Sequence, residues 1–430
     1  MQQADSKSSA GMFSVFSFPQ FRWLFLGNAA FFFAMQGQML TRTLLAWDLT
    51  GQATSLAYVN LVVAIPMIFA SLAGGAITDR VERRRLVIIG QCIIAANDLF
   101  ILTLLLTDQL QFWHMLCTAF MAGCAFPFIM PARMAITMKV VGPALLQSAM
   151  AFSSGVMNLN RVLGPAAMGL IIAASSYSTA YVLSVTLYVV AIGCMFGITP
   201  NWSDETGAVK KPLLADIKQG FSYILGNRPV LICLLFGLLP MFLAMPFQSI
   251  LVVLVDEMWQ TGETGVGTMM AIGGVGGVIG AIWVARRGDS AGRVSMMVGA
   301  TLAFAIFLGL ITRTPNFTLA LLALLFANVF VNAGQTINNA AVQLLVEDKV
   351  RGRISSFMML SFALTPIGVF PIALAADRIG ASNAILGAAV LLFVLVLLFY
   401  AMSPTLRKLD ESINESISAG SAAKAVQKAA

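Results

Sequence analysis

Twelve runs of mostly apolar residues, each about 20 residues long, recur along this chain, and the solvent that matches such runs is a bilayer core. They fall at 22–47, 54–77, 86–106, 112–132, 146–173 and 179–198 in the first half. The second half has them at 230–254, 264–285, 294–312, 317–340, 354–375 and 382–402. Charge is scarce: 10% of residues are charged and 59% are hydrophobic, where an average soluble domain is about 25% charged. Too little polar surface remains to coat a water-soluble globule, which excludes a soluble enzyme, a nucleic-acid binder and a disordered scaffold. The fold class is therefore an all-α membrane protein. The first run is too long for a signal-peptide core, and it reads as a retained helix.

Lysine and arginine test this topology. An even number of crossings puts both ends of the chain on one side, and 22 of the 26 basic residues fall there, including Arg22, Arg80, Arg83, Arg84, Arg85, Arg133, Arg286 and Arg287. Arg313 and Arg378 fall on the opposite side, while Arg42 and Arg161 sit inside helices. Basic loops stay cytoplasmic during insertion. The expected location is the cytoplasmic (plasma) membrane, multi-pass, with both termini inside. The net charge of +7 then reports topology, and no nucleic-acid partner is expected.

The longest polar interruption divides the chain. We read a cytoplasmic segment over 1–21, a six-helix bundle over 22–198, a linker over 199–229, a second six-helix bundle over 230–402 and a cytoplasmic tail over 403–430, loose from Leu409 to Ala430. In the linker, Leu213, Leu214, Ile217, Phe221, Ile224 and Leu225 share one helical face, as in a surface-lying amphipathic helix. Gly75-Ala76-Ile77 recurs as Gly280-Ala281-Ile282, 205 residues on. A repeated six-helix half suggests a transporter with its site between the halves.

Gly75-Ala76-Ile77-Thr78-Asp79-Arg80-Val81-Glu82-Arg83-Arg84-Arg85 lies in the loop after the second run. It resembles the Gly-x-x-x-Asp-Arg-x-Gly-Arg-Arg signature of the major facilitator superfamily, with Glu82 in place of the usual glycine. Trp47–Gly51, Pro127-x-x-x-Pro131-Ala132-Arg133 and Val346–Arg353 resemble the drug and siderophore exporter branch (enterobactin-exporter-like) of that superfamily. Gly164-Pro165-Ala166-Ala167-Met168-Gly169 resembles part of its antiporter motif in the fifth helix, with Asn160 and Met168 at two glycine positions. The resemblance implies twelve helices in two pseudo-symmetric bundles, alternating access, and efflux of a hydrophobic or amphipathic small molecule. It also implies a latch built from Gly75, Asp79, Arg80, Arg83, Arg84 and Arg133. Asp79 would accept N–H groups at the start of the eleventh helix near Ile354. Arg133, placed at the cytoplasmic end of the fourth helix, is its second candidate partner.

Ionisable groups inside the bilayer cost roughly 2.5–3.5 kcal/mol on insertion scales and face cavities or partners. Asp98, near mid-depth in the third helix, is the first candidate for proton coupling. A permanent Asp98–Arg bridge is the structural alternative. Arg161 sits at similar depth in the fifth helix. On the tenth, Asn328, Asn332, Gln335 and Asn339 share one face at spacings of 4, 3 and 4. Amides are unsatisfied against lipid, so this row should meet the cavity or another helix. The resemblance makes the first, fourth, seventh and tenth helices the cavity wall, adding Asn28, Gln38, Arg42, Phe242 and Gln248.

The bland features are set aside. The glycines over 262–280 allow close helix packing and form no dinucleotide loop. His114 reads as interfacial, and the five cysteines have no metal-ligand spacing. Neither cofactor nor metal is expected, and no phosphate-loop motif points to ATP. The expected function is a monomeric secondary transporter that exports its cargo against proton entry. One alternative is an uncoupled facilitator or importer of a metabolite or lipid. Another is a transporter-like sensor that binds without transport.

Overall fold

The computed structural model describes residues 12–78, 82–199, 221–287, 292–346, 354 and 365–415. Among the described residues, twelve α-helices account for the apolar runs. They are α1 (Pro19–Thr50), α2 (Ala53–Thr78), α3 (Arg83–Leu106), α4 (Phe112–Ala174), α5 (Tyr177–Phe196), α6 (Arg228–Leu243), α7 (Leu251–Met258), α8 (Gly262–Arg287), α9 (Arg293–Ile311), α10 (Phe317–Leu345), α11 (Thr365–Ile379) and α12 (Ala381–Met402). Among the described residues, ten spans are long and apolar enough to cross a membrane. The 32-residue α1 is long enough, but Asn28, Gln36, Gln38 and Arg42 make it too polar for that set. The described part of the eleventh span, α11, has 15 residues.

Two spans depart from the simple reading. The fourth and fifth runs form one continuous α4, broken only at Gly142, where φ is 72° and ψ is 170°. Side chains other than hydrogen are strained in that region, so glycine supplies the joint. The seventh span is built from α6, a 3₁₀ turn at Met245–Ile250 and α7. Pro240 and Pro246 remove two helical donors there.

Local caps fix where helices begin. Ser176 accepts the Thr179 N–H at 3.2 Å, Asn227 accepts that of Val230 at 3.3 Å, and Asn316 accepts that of Leu319 at 3.2 Å. Each satisfies a donor that the first helical turn leaves free. Gly51 ends α1 at a φ of 61°.

The chain separates into two compact units. The first holds residues 1–51, 58–208 and 263–271; the second holds 52–57, 209–262 and 272–430. In the first, α1 and α3 both pack on α4 and α5. Phe31, Phe32, Ile94, Ile129 and Tyr188 form one buried cluster, and Leu24, Val87, Ile136 and Met195 another. In the second, α9 packs on α10 and α12, while α6 packs on α10 and α12.

The linker helix expected around Leu213 lies outside the described residues, apart from a helical stretch at 221–226. The tail is a correction. Residues 404–407 and 409–415 are helical, and Leu406, Leu409 and Ile413 are fully buried. Their spacing of 3 and 4 makes one apolar face, which docks instead of staying loose.

Candidate functional site

Two arginines, Arg42 half-buried and Arg133 buried, organise the interior of the first unit. On α1, Arg42 reaches Asp98 of α3, with Nη2 2.9 Å from Oδ1. The Asp98 side chain is 0% exposed and that of Arg42 17%, and Tyr181 and Tyr188 of α5 lie beside the pair. Asp98 is roughly 22 Å along α3 from its start at Arg83, deep in the span. Taking both charges out of water costs several kcal/mol per ion, which only a close partner offsets. Arg42 is that partner. Among the described residues Asp98 Oδ2 has no donor, so there the carboxylate depends on this single guanidinium.

Arg133 is the second. It was expected at the end of the fourth helix, but it lies well inside α4, between Phe112 and the joint at Gly142, and it is buried. Its Nη1 donates to Asn28 Oδ1 on α1. Its guanidinium lies 4.4 Å from the Phe31 ring centroid and 5.9 Å from that of Phe32. Among the described residues, its Nε and Nη2 have no partner. A cation held by ring faces and one amide is solvated far less well than one facing a carboxylate. Asp79 and Arg80 of the expected latch lie outside the described residues, as does most of the start of the eleventh helix. Gly75 lies in α2. Arg83 and Arg84 open α3 half-buried, with Arg84 5.4 Å from the Phe196 ring centroid. Glu82, which replaces the signature glycine, is buried and pairs with Arg85 at 2.9 Å.

The amide row of α10 sits inside the second unit in a definite way. Asn328 donates to Leu324 O at 3.0 Å and Asn332 to Asn328 O at 2.9 Å. Both fold back onto their own helix, as short polar side chains do. Glycines of α8 make room for them: a Cβ at Gly273 would lie 3.3 Å from Asn328 Nδ2, and one at Gly277 would lie 3.2 Å from Asn332 Nδ2. Gln335 donates to Gly237 O of α6 at 3.3 Å. These three amides take part in packing α10 against α6 and α8, and Asn339 is half-buried. Asn338 was missed because it lies a step outside the row. It is buried, and a Cβ at Gly237 would come within 2.5 Å of its Nδ2.

The other named residues are more scattered. Gln38 is buried on α1 with neither amide atom bonded. Phe242 lies where α11 crosses α6, its Cα 3.1 Å from a Cβ built on Gly368. Gln248 is half-buried in the 3₁₀ turn. The fifth-helix motif works by close approach. A Cβ at Gly164 would lie 2.9 Å from Gly37 N on α1, and one at Gly169 would lie 2.8 Å from Glu263 O at the start of α8. Pro165 O lies 3.0 Å from a Cβ built on Gly267. Arg161, in the same segment, is exposed.

Two carboxylates that the sequence reading did not single out cap helices far away in sequence. Asp377, in the last turn of α11, accepts the N–H groups of Ala53 and Thr54 at 2.6 and 3.0 Å, at the start of α2. Glu257, at the end of α7, accepts those of Ala381 and Ser382 at 2.8 and 3.4 Å, at the start of α12. An acid in the last turn of its own helix meets the negative end of that dipole. The gain at Asp377 is therefore in α2 and not in α11.

The family described as transmembrane secretion effector matches residues 10–428. The Staphyloferrin A transporter of Staphylococcus aureus is 24% identical over 368 residues, covering 84% of this chain and 90% of that relative. The multidrug efflux pump Tap of Mycolicibacterium fortuitum is 26% identical over 377 residues, again covering 84% and 90%. The solved structure of the nucleoside transporter NupG matches with a TM-score of 0.74 at 13% identity, over 89% of this chain and 98% of that one. This last likeness shows the fold.

Proposed function

The chain belongs to the transmembrane secretion effector family of the major facilitator superfamily, and from that premise we propose that it exports a hydrophobic or amphipathic small molecule in exchange for protons. The names of the relatives, a siderophore transporter and a multidrug efflux pump, support the direction and the cargo class. The observation that carries proton exchange is the Arg42–Asp98 pair at 2.9 Å, with Asp98 fully buried. A carboxylate this deep stays ionised only while its guanidinium stays in place. Protonation of Asp98 and release of Arg42 are therefore one event. Since the two residues sit on different helices, that event moves α1 against α3. Alternating access needs a change of this kind, tied to an ion.

The test is flux in proteoliposomes with and without an imposed pH gradient. Wild type should move a fluorescent amphiphile faster when protons can flow the opposite way. Asp98→Asn should insert normally and lose the gradient dependence. Wild-type flux that ignores the gradient would favour the uncoupled facilitator instead.

A further inference from the structure

We infer that Arg161, together with Asn158 and Ser154, forms a subsite on the first unit for the carboxylate of an anionic amphipathic cargo. The inference rests on the exporter reading for the origin of that ligand. Arg161 belongs to the span Leu145–Ala174, roughly 24 Å from its first residue and 20 Å from its last. At that depth no arginine stem reaches either interface, so snorkelling is closed to it. Yet the residue is exposed, and it makes no ion pair among the described residues. An arginine exposed to hydrocarbon at mid-depth is among the most unfavourable placements in a membrane. It must therefore face water or a ligand.

The helix itself shows which direction that is. Ser154, Asn158 and Arg161 are all exposed and follow one another by 4 and 3 residues, so they form one polar stripe. Leu159, Leu163 and Leu170 are 55%, 45% and 57% exposed. They lie about 150° further round the same helix, as a lipid-facing side would. The stripe borders α1. Asn160, next to Arg161, donates to Ala29 O at 2.9 Å. One turn on, Gly164 brings Phe33 O and Gln36 Cβ to 3.1 and 3.0 Å of where its own Cβ would be. Phe33 and Gln36 are half-buried and place an apolar residue and an amide on α1 about one turn from Arg161.

The donor set selects the ligand. A guanidinium presents a planar fork that matches a carboxylate with two parallel N–H···O bonds. An amide and a hydroxyl on the same stripe can complete the coordination of its oxygens. Among the described residues no acid lies on this stripe, so a cationic cargo finds no counter-charge on it.

The test is equilibrium binding to the full chain in phosphatidylcholine vesicles, using dansyl-labelled dodecanoate and its methyl ester as probes. Wild type should bind the carboxylate about tenfold more tightly than the ester, the size expected of one charge-assisted pair. Arg161→Ala should bind both equally, Arg161→Lys should keep part of the preference, and Asn158→Ala should narrow it. An unchanged preference in Arg161→Ala overturns the inference. Adding phosphatidylglycerol should leave the wild-type preference intact; its loss there would assign the stripe to a lipid headgroup and overturn the cargo reading. Binding needs no flux, so a chain that binds the carboxylate but moves nothing keeps this subsite and loses the exporter reading.

Discussion

Replacing Arg42 by Met tests whether the pair with Asp98 is a desolvated ion pair or an ordinary polar contact between helices. The carboxylate is 0% exposed, and among the described residues Arg42 Nη2 at 2.9 Å is its one partner, with Oδ2 unbonded. Removing the guanidinium strands that group, which in buried pairs costs about 3–5 kcal/mol. Asp98→Leu alone strands the guanidinium and should cost a similar amount, reduced because Arg42 is 17% exposed. The double variant Arg42→Met/Asp98→Leu removes both charges and keeps the volume, and such replacements are often neutral or stabilising. The double should therefore lie within about 1.5 kcal/mol of wild type, giving a coupling energy of at least about 2 kcal/mol. Neutral hydrogen bonds between membrane helices couple by only about 0.6 kcal/mol on average, so the two accounts separate. The assay is reversible unfolding in mixed micelles titrated with dodecyl sulfate. A coupling energy below about 1 kcal/mol would refute the ion-pair account, and with it the link between proton uptake and helix movement.

Three further outcomes follow from the packing of the helices. Arg133→Met should raise stability by about 1–3 kcal/mol, since a buried cation with two guanidinium nitrogens unpaired among the described residues gives way to an apolar chain of similar length; equilibrium unfolding beside a flux assay should show stability rising as transport falls. Gly276→Ala would place a Cβ 2.5 Å from Leu325 O and should cost about 1–3 kcal/mol by overpacking, whereas Gly155→Ala meets open space and should unfold at an unchanged midpoint. Asp377→Ala removes the acceptor for Ala53 and Thr54 and should cost about 1 kcal/mol, as loss of a helix cap does. Exchange of those two amides, followed by mass spectrometry, should quicken, while Asp377→Asn should fall between, since it keeps one oxygen.

The helices were legible because a spanning helix needs a run of apolar residues whatever it packs against. What the runs could not show is how they join. Nothing in the hydropathy around Gly142 separates a loop from a one-residue joint, and Pro246 does not announce a 3₁₀ turn. The amides of α10 were visible from their spacing, but that spacing is the same whether they meet water or a neighbouring helix. The glycines of α8 opposite Asn328 and Asn332 are what make room for them, and that pairing is tertiary. Asp98 could be placed at mid-depth by counting, but its partner on α1 is 56 residues away. Asp377 is further still from Ala53, at 324 residues; an acid at the end of its own helix looks misplaced until its recipient is seen. The Ser154–Asn158–Arg161 stripe obeyed the same 4-and-3 rule as the tenth helix and went unread, because only exposure separates it from a packed polar face.

The single-residue articulation at Gly142 leaves no slack to absorb a change of length. One amino acid inserted on its far side would turn everything downstream by roughly 100°. Asn160 would swing off Ala29, Gly164 would swing off Gly37, and the leucine side would rotate towards α1. The peptide link between these two spans thus acts as an angular index for the bundle. Insertions there should therefore be poorly tolerated.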